Sequence, residues 1–257
     1  MALNYTTVDL APRTGAAIAG YPTWPLAAFP FEAQIAKVAP SSMVSYLQPG
    51  RSGLSASPLQ ERDACTGAAI WTAQTTGTTI ATDGAVLGGL PRWEFDGSSA
   101  GLYGSLPAAL TDYTFACLAR ADNVSGAKTL ITVGSSGTSR VMLYFSSDDI
   151  FLQHGTTDIK SSTGTTVVAN TWIPVIASYK DSTKALLVYT TTTTPLISAT
   201  MTNSPPAEVV AAIGSARTGV QPLLGEIALA AIWDTPIHED ATALANLVAA
   251  LNGLRLL

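Results

Sequence analysis

Short runs of apolar and β-branched residues, separated by turn residues, dominate the chain after its first forty residues. In TDYTFACLARA (111–121) and RVMLYFSS (140–147), successive side chains alternate between two faces, as they do in a strand. WIPVIASYK (172–180) and ALLVYTTTTT (185–194) flank Asp181–Lys184, a four-residue turn that predicts a hairpin. Several runs are apolar on both faces, which is typical of strands inside a two-layer structure. The sequence therefore predicts an all-β, two-sheet antiparallel sandwich.

One segment near the C-terminus has helical periodicity instead. In HEDATALANLVAALNG (238–253), leucines recur at helical spacing and acidic residues occupy the first turn, where they suit the helix dipole. Gly253 is placed to end the helix. The sequence predicts a single C-terminal helix that seals the rim of the sandwich.

The first forty residues differ from the rest because prolines are interspersed with aromatic residues. The prolines are Pro12, Pro22, Pro25, Pro30 and Pro40, and the aromatic residues are Tyr21, Trp24, Phe29 and Phe31. Proline holds its neighbours toward extended backbone geometry, so residues 1–40 are predicted to form an extended arm preceding a domain over residues 41–257. Aromatic side chains avoid water, so the arm must lie on a surface. That surface is either its own domain or a partner subunit, and docking on a partner is the interpretation preferred.

Composition and charge exclude some classes of function. Only 12% of the residues are charged, against roughly 25% in an average globular protein. A surface covered largely by Thr, Ser, Gly and Ala suits a protein that is packed into an assembly or works outside the cytoplasm. The net charge of −5 and the lack of a Lys/Arg cluster argue against nucleic-acid binding. No run approaches about 18 apolar residues and no basic region opens the chain, so neither a membrane span nor a signal peptide is predicted.

Cysteine and histidine are too sparse for a zinc site. The two cysteines, Cys65 and Cys117, are predicted to be small buried side chains, with a disulfide between them as the alternative. The two histidines, His154 and His238, lie far apart in the sequence and near no nucleophile motif. His238 is interpreted as a helix-start residue.

Three blocks of the sequence resemble the laminin-G/concanavalin A-like jelly rolls, especially those of bacteriophage virion proteins. They are WEFDGSSAGLYGSLPAALTDYTFACLARA (93–121), NTWIPVIASYKDSTKALLVYT (170–190) and AIGSARTGVQPLLGEIALAAIWDTPIHEDATALANLVAAL (212–251). Residues 52–74 are similar, more loosely, to the loop that precedes the first block. In that family an Asn-Gly turn usually follows the position of Tyr189, whereas here the threonines up to Thr194 and then Pro195 take its place. The resemblance implies a jelly-roll fold over about residues 45–257.

The resemblance also implies a function. We expect a non-enzymatic surface protein of a phage or phage-like particle, such as a spike, fibre or decoration protein. It would be made in the host cytoplasm, form a homo-oligomer, dock to other virion proteins through its N-terminal arm and contact host surface polysaccharide. Two alternatives remain open: a stand-alone lectin-like module and a polysaccharide-degrading enzyme.

Candidate ligand residues follow from the residue types that such domains use. Sugar-binding faces stack a sugar ring on Trp or Tyr, which indicates Trp71, Tyr103 and Tyr144. Trp172 and Trp233 alternate with core positions and are predicted to be buried.

Calcium is a further candidate ligand. Some relatives hold Ca²⁺ at the sandwich rim, and Asp148 and Asp149 are the residues that could do so here. A solvated hairpin tip is the other interpretation, and no third ligand is identifiable. No other cofactor is expected.

The acids of PRWEFDGSS (91–99) decide the expectation about enzymatic activity. Glu94 and Asp96 would share one face of a strand. One large group of jelly rolls that cleave glycans carries a second glutamate where Ser99 stands here, and a retaining mechanism needs both acids. Asp96 is instead predicted to accept backbone N–H groups of its own turn, with Glu94 facing solvent or Arg92.

Overall fold

The computed structural model describes residues 29–49, 53–56, 59–65, 70–73, 78–81, 87–98, 101–135, 138–164, 166–216 and 221–257. Within these ranges the strands, in chain order, are β1 Met43–Leu47, β2 Gly53–Ala56, β3 Leu59–Arg62, β4 Ile70–Ala73, β5 Thr78–Ala81, β6 Arg92–Asp96, β7 Leu102–Ser105, β8 Tyr113–Ala121, β9 Lys128–Gly134, β10 Arg140–Ser146, β11 Asp149–His154, β12 Asp158–Ser161, β13 Ile173–Lys180, β14 Ala185–Tyr189, β15 Ile197–Thr200, β16 Val210–Ile213 and β17 Leu224–Trp233. The α-helices are α1 Phe29–Lys37 and α2 Ala241–Arg255.

These strands form two antiparallel sheets, which confirms the predicted sandwich. An eight-stranded sheet has the order β15-β14-β13-β8-β17-β6-β5, and β1 pairs with the free part of the β17 edge. A nine-stranded sheet has the order β12-β11-β10-β9-β16-β7-β4-β3-β2. Buried apolar side chains from the inner faces of both sheets, such as Phe115 and Phe145, form one core between them. The predicted hairpin also forms, with Lys180 opposite Ala185.

A second apolar layer covers the outer face of the eight-stranded sheet. There Leu247 and Leu251 of α2 and Ile35 of α1 pack against Ala116 and Ile176 of the sheet. The predicted C-terminal helix is therefore real, but its predicted place at the rim is wrong, because its apolar stripe lies on the sheet face.

Two further details of the helix differ from the prediction. Asp240 caps α2 by accepting the N–H groups of Thr242 and Ala243 at 3.0 and 2.9 Å. Gly253 does not end the helix, which continues to Arg255. A Cβ at Gly253 would overlap the ring of Phe31. This glycine therefore serves the close approach of the two helices.

The extended geometry predicted for residues 1–40 is wrong for residues 29–37, which form α1. The segment FEAQIAK consists mostly of good helix formers, and Ile35 and Ala36 give it a buried side. Phe31, predicted to dock on a partner, packs against this chain's own α2 layer. Phe29 is the first residue of the helix, and Tyr21 and Trp24 lie outside the described residues.

The threonine run does not continue its strand as predicted. The strand β14 ends at Tyr189, and Thr191–Thr194 form an exposed bend. Asn252 of α2 donates to the carbonyl of Thr191 at 2.7 Å, so the bend is attached to the helix layer.

The outer face of the nine-stranded sheet differs from that of the eight-stranded sheet in what packs on it. In the part of the chain that the structure describes, both α-helices pack on the other sheet. Neither of these two described helices is long and apolar enough to cross a membrane. The centre of this outer face is nevertheless covered, because Met142 and Tyr144 are buried and pack with Ala216.

Candidate functional site

The structure separates the three aromatic residues predicted to bind a ligand. Tyr103 and Tyr144 lie on the outer face of the nine-stranded sheet, whereas Trp71 points into the core. Trp71 is fully buried, and its ring lies so close to Gly104 of β7 that a Cβ there would overlap it. The prediction that Trp71 contacts a ligand is wrong, because the period-two alternation of β4 turns it inward.

Tyr144 is stacked on Phe151, its direct cross-strand partner. The ring centroids are 5.0 Å apart with an interplanar angle of 16°. Phe151 is partly exposed and Tyr144 is 7% exposed, so Phe151 presents the accessible ring of the pair. Sequence reasoning missed Phe151. The sequence signal for this pair is the two-residue turn Ser147–Asp148. If the strands are paired outward from that turn, residue 144 lies opposite residue 151.

Tyr103 lies on the other flank of this face. Thr132 and Ala212 separate it from Met142 in one continuous cross-strand row. These three central residues are buried, and the three strand spacings between β10 and β7 amount to about 14 Å. The Tyr103 hydroxyl contacts Ser215 Oγ at 2.6 Å and donates to the Ala216 carbonyl at 3.3 Å, which fixes the ring.

Arg140 begins the strand that carries Tyr144 and projects from the same face. Burial lowers the pKa of Arg140, and the nearby Tyr144 hydroxyl opposes that shift. Burial likewise raises the pKa of Tyr144, against the effect of the guanidinium. We call Arg140, Tyr144, Phe151 and Tyr103 the aromatic face. It combines an accessible ring, the fixed hydroxyl group of Tyr103 and one cation.

The acids of PRWEFDGSS lie on the outer face of the opposite sheet. Asp96 accepts hydrogen bonds from the N–H and hydroxyl of Ser98 at 2.8 and 2.7 Å, as predicted for a turn-holding residue. Glu94 is 45% exposed and lies 3.8 Å from Arg92 NH2, which confirms the second prediction. Directly opposite Glu94 stands Glu226, a second acid that sequence reasoning did not identify.

Glu226 forms ion pairs with two arginines. Its Oε1 lies 2.7 Å from Arg92 Nε and its Oε2 lies 2.9 Å from Arg120 Nε. Burial raises the pKa of Glu226, and both guanidinium groups oppose that shift. Arg120 also lies over the ring of Trp172, with Cζ 6.0 Å from the centroid. The arrangement is a buried ion cluster that joins β6, β17 and β8.

Of the two tryptophans predicted to be buried, Trp233 is buried and Trp172 is not. Trp233 is fully buried and donates from Nε1 to the Val38 carbonyl at 2.8 Å, as predicted. Trp172 is partly exposed and packs against the apolar layer on the outer face of the eight-stranded sheet.

The aspartates predicted as calcium ligands lie in and beside the turn between β10 and β11. Asp149 Oδ1 accepts from the Ser162 hydroxyl at 2.8 Å, and the Asp148 carbonyl accepts the N–H groups of Thr166 and Val167. Among the described residues, no group of three or more His, Cys, Asp or Glu side chains could hold a metal ion. Calcium binding by these aspartates stays a prediction.

Both histidines are held in hydrogen-bond networks. His154 Nδ1 lies 2.8 Å from the Asn203 carbonyl and Nε2 lies 2.8 Å from the Tyr113 hydroxyl. His238 contacts Ser178 Oγ at 2.8 Å in the turn before α2, in keeping with a helix-start role. Cys65 and Cys117 are both free, as preferred from the sequence; Cys117 is buried as predicted, whereas Cys65 is half-buried.

Comparison with known proteins shows the fold. No family model and no curated protein matches the sequence. A mutant of Trypanosoma rangeli sialidase displaying trans-sialidase activity is similar with a TM-score of 0.60 and 10% identity, over 89% of this chain and 38% of that one. The same sialidase in complex with sialic acid gives 0.59 and 12%, over 88% and 37%. The ligand-binding domain of botulinum neurotoxin serotype D in complex with N-acetylneuraminic acid gives 0.55 and 13%, over 86% and 52%.

These likenesses correct one prediction and limit another. The chain spans less than two-fifths of the sialidase chains and about half of the neurotoxin domain. At such identities the likeness is one of fold alone. The prediction that this chain is not an enzyme is contradicted, because the solved structures that share its fold include sialidases, which are enzymes. The likeness shows the fold and assigns no activity to this chain. The expected jelly-roll fold is confirmed, whereas the relation to phage proteins stays a prediction.

Proposed function

We propose that this protein binds glycans through the aromatic face of its nine-stranded sheet. The observation that carries the proposal is the Tyr144–Phe151 stack, whose outer ring is accessible on a sheet face. The apolar face of a sugar ring packs on such an aromatic ring, while neighbouring polar groups bind its hydroxyls. Ser161, exposed and directly opposite Phe151 on the edge strand β12, offers one such hydroxyl.

Proteins of similar fold support a sugar as the ligand. The sialidase structure holds sialic acid and the neurotoxin domain holds N-acetylneuraminic acid. Proteins that contain a sandwich of this kind therefore include ones that bind sugars. The aromatic face is proposed as the binding site from the geometry of this chain alone.

The test is calorimetric titration of the full chain with lactose, cellotriose, 3′-sialyllactose and trigalacturonate. Phe151→Ala removes the ring and should lower the affinity for every sugar that binds by about fivefold, the value of one aromatic contact. The control is Leu256→Ala, which shortens a side chain that is 73% exposed on the helix side. Absence of binding at millimolar sugar, or equal binding by Phe151→Ala and the unmodified protein, would contradict the proposal.

The finer role stays a prediction that depends on the sequence resemblance. It is a homo-oligomeric virion surface protein whose N-terminal segment docks to the particle. Because α1 belongs to the helix layer of the domain, the truncation that tests docking should remove residues 1–28 and keep Phe29–Lys37. The truncated protein should fold but fail to join particles, and its normal incorporation would contradict the docking role.

A further inference from the structure

We propose that the sugar bound at the aromatic face carries a carboxylate, and that Arg140 is the residue that binds it. The inference depends on the proposed glycan binding and adds the chemical class of the ligand. It starts from an arginine whose charge is not balanced within the described protein.

Among the described residues, the guanidinium of Arg140 has no partner. In the described residues it makes no side-chain hydrogen bond or ion pair, and its Nε is buried. Leaving a partly buried cation unpaired costs stability. On the opposite sheet, Arg92 and Arg120 both contact Glu226. Arg140 is therefore a donor group held ready for an acceptor from outside.

The strands beside Arg140 leave room for that acceptor. Its cross-strand neighbour on β9 is Gly134, and on the other side Gly155 donates its N–H to the Arg140 carbonyl at 2.8 Å. Neither glycine has a side chain that could cover or neutralise the guanidinium. A planar carboxylate can approach the guanidinium and accept two parallel hydrogen bonds.

The distance to the aromatic stack suits a single acidic sugar. Arg140 and Tyr144 lie four residues apart on one face of β10, about 13 Å between Cα atoms. The Tyr144 ring and the long arginine side chain extend toward each other closely enough for each to shift the other's pKa. A pyranose with a ring carboxylate could stack on Phe151 and place its charge at Arg140.

A single carboxylate fits better than a polyanion. Among the described residues of the aromatic face, Arg140 provides the one positive charge, and the chain as a whole carries a net charge of −5. A sulfated or phosphorylated polymer requires several cations in a cluster. The ligand class is therefore a carboxylated sugar, either a sialic acid or a hexuronic acid.

The experiment compares each acid with a neutral counterpart on the full chain by calorimetry. The pairs are 3′-sialyllactose with lactose and trigalacturonate with its methyl ester, and lactose 3′-sulfate serves as the sulfated probe. We expect at least one acid to bind about tenfold more tightly than its counterpart, the value of one charged hydrogen-bonded pair. Arg140→Gln should abolish this preference and leave the neutral sugar unchanged. The control Arg255→Gln, in the last turn of α2, should keep it.

The outcomes distinguish this inference from the proposed function. Equal binding of both acids and their neutral counterparts overturns the carboxylate assignment and leaves glycan binding in place. A preference that survives in Arg140→Gln overturns the role of Arg140, and tighter binding of the sulfate overturns the ligand class. Absence of binding by every probe overturns both proposals. Thermal unfolding of each variant checks that Arg140→Gln is folded.

Discussion

His154 should make the stability of this protein fall in mild acid. The side chain is fully buried and bridges the two sheets through Tyr113 of β8. The Asn203 carbonyl can only accept, so Nδ1 carries a proton; in the neutral ring Nε2 therefore accepts from the Tyr113 hydroxyl. A second proton would remove that acceptor and bury a charge. Burial lowers the pKa of His154 from its ordinary value of 6.5.

The sign and size of the effect follow from this lowered pKa. Between the native-state pKa and 6.5, the unfolded chain binds a proton that the native state does not, so stability falls as the pH falls. If the native ring stays neutral, the loss between pH 7.5 and pH 5.5 is about 1.4 kcal/mol. The pKa of His238 is lowered for the same reason, so this second histidine adds a loss of the same sign.

The assay is urea unfolding at pH 5.5, 6.5 and 7.5, compared with the double variant His154→Leu/Tyr113→Phe. The double variant removes the Tyr113 hydroxyl and its acceptor Nε2 together, so neither of these two groups is left unpaired. The Asn203 carbonyl loses Nδ1 and keeps the Tyr179 hydroxyl at 3.4 Å. The difference in slope between the two proteins isolates His154 from His238 and from the carboxylates. Identical pH dependence in both proteins would refute the neutral, buried state of His154.

Two further predictions concern the outer face of the eight-stranded sheet. Gly253→Ala places a Cβ in the ring of Phe31, and urea unfolding should show a loss of about 1–3 kcal/mol; unchanged stability would contradict the close helix contact. Glu226→Gln removes the charge shared by two arginines and should cost about 3–5 kcal/mol, whereas Glu94→Gln, at a half-exposed position, should cost less than about 1 kcal/mol. Equal costs would contradict the buried cluster.

Local periodicity was sufficient for the sandwich and for the existence of its C-terminal helix. The alternation in β8 and β10 and the leucine spacing in α2 are properties of neighbouring residues. The helix α1 was missed because Pro30 and Pro40, which lie at its first turn and just beyond its end, suggested extended backbone. Proline in the first turn of a helix is in fact well tolerated.

The site depended on pairings between distant residues, which a single sequence does not reveal. Glu226 meets Glu94 across a sequence separation of more than 130 residues, and only the order of strands brings them together. Trp71 and Tyr103 are both aromatic, yet strand register turns one to the core and the other outward. Arg140 stands out as a ligand-binding candidate because its neighbours on both sides across the sheet, Gly134 and Gly155, are glycines.

Mapping amide chemical shifts during titration with 3′-sialyllactose tests the central claim most directly. Glycan binding at the aromatic face predicts saturable shifts at Arg140, Tyr144 and Phe151, with α2 unchanged. Shifts confined to the opposite sheet, around Trp172 and Glu94, would contradict the claim. So would the absence of shifts at the aromatic face while another sugar binds at the opposite sheet.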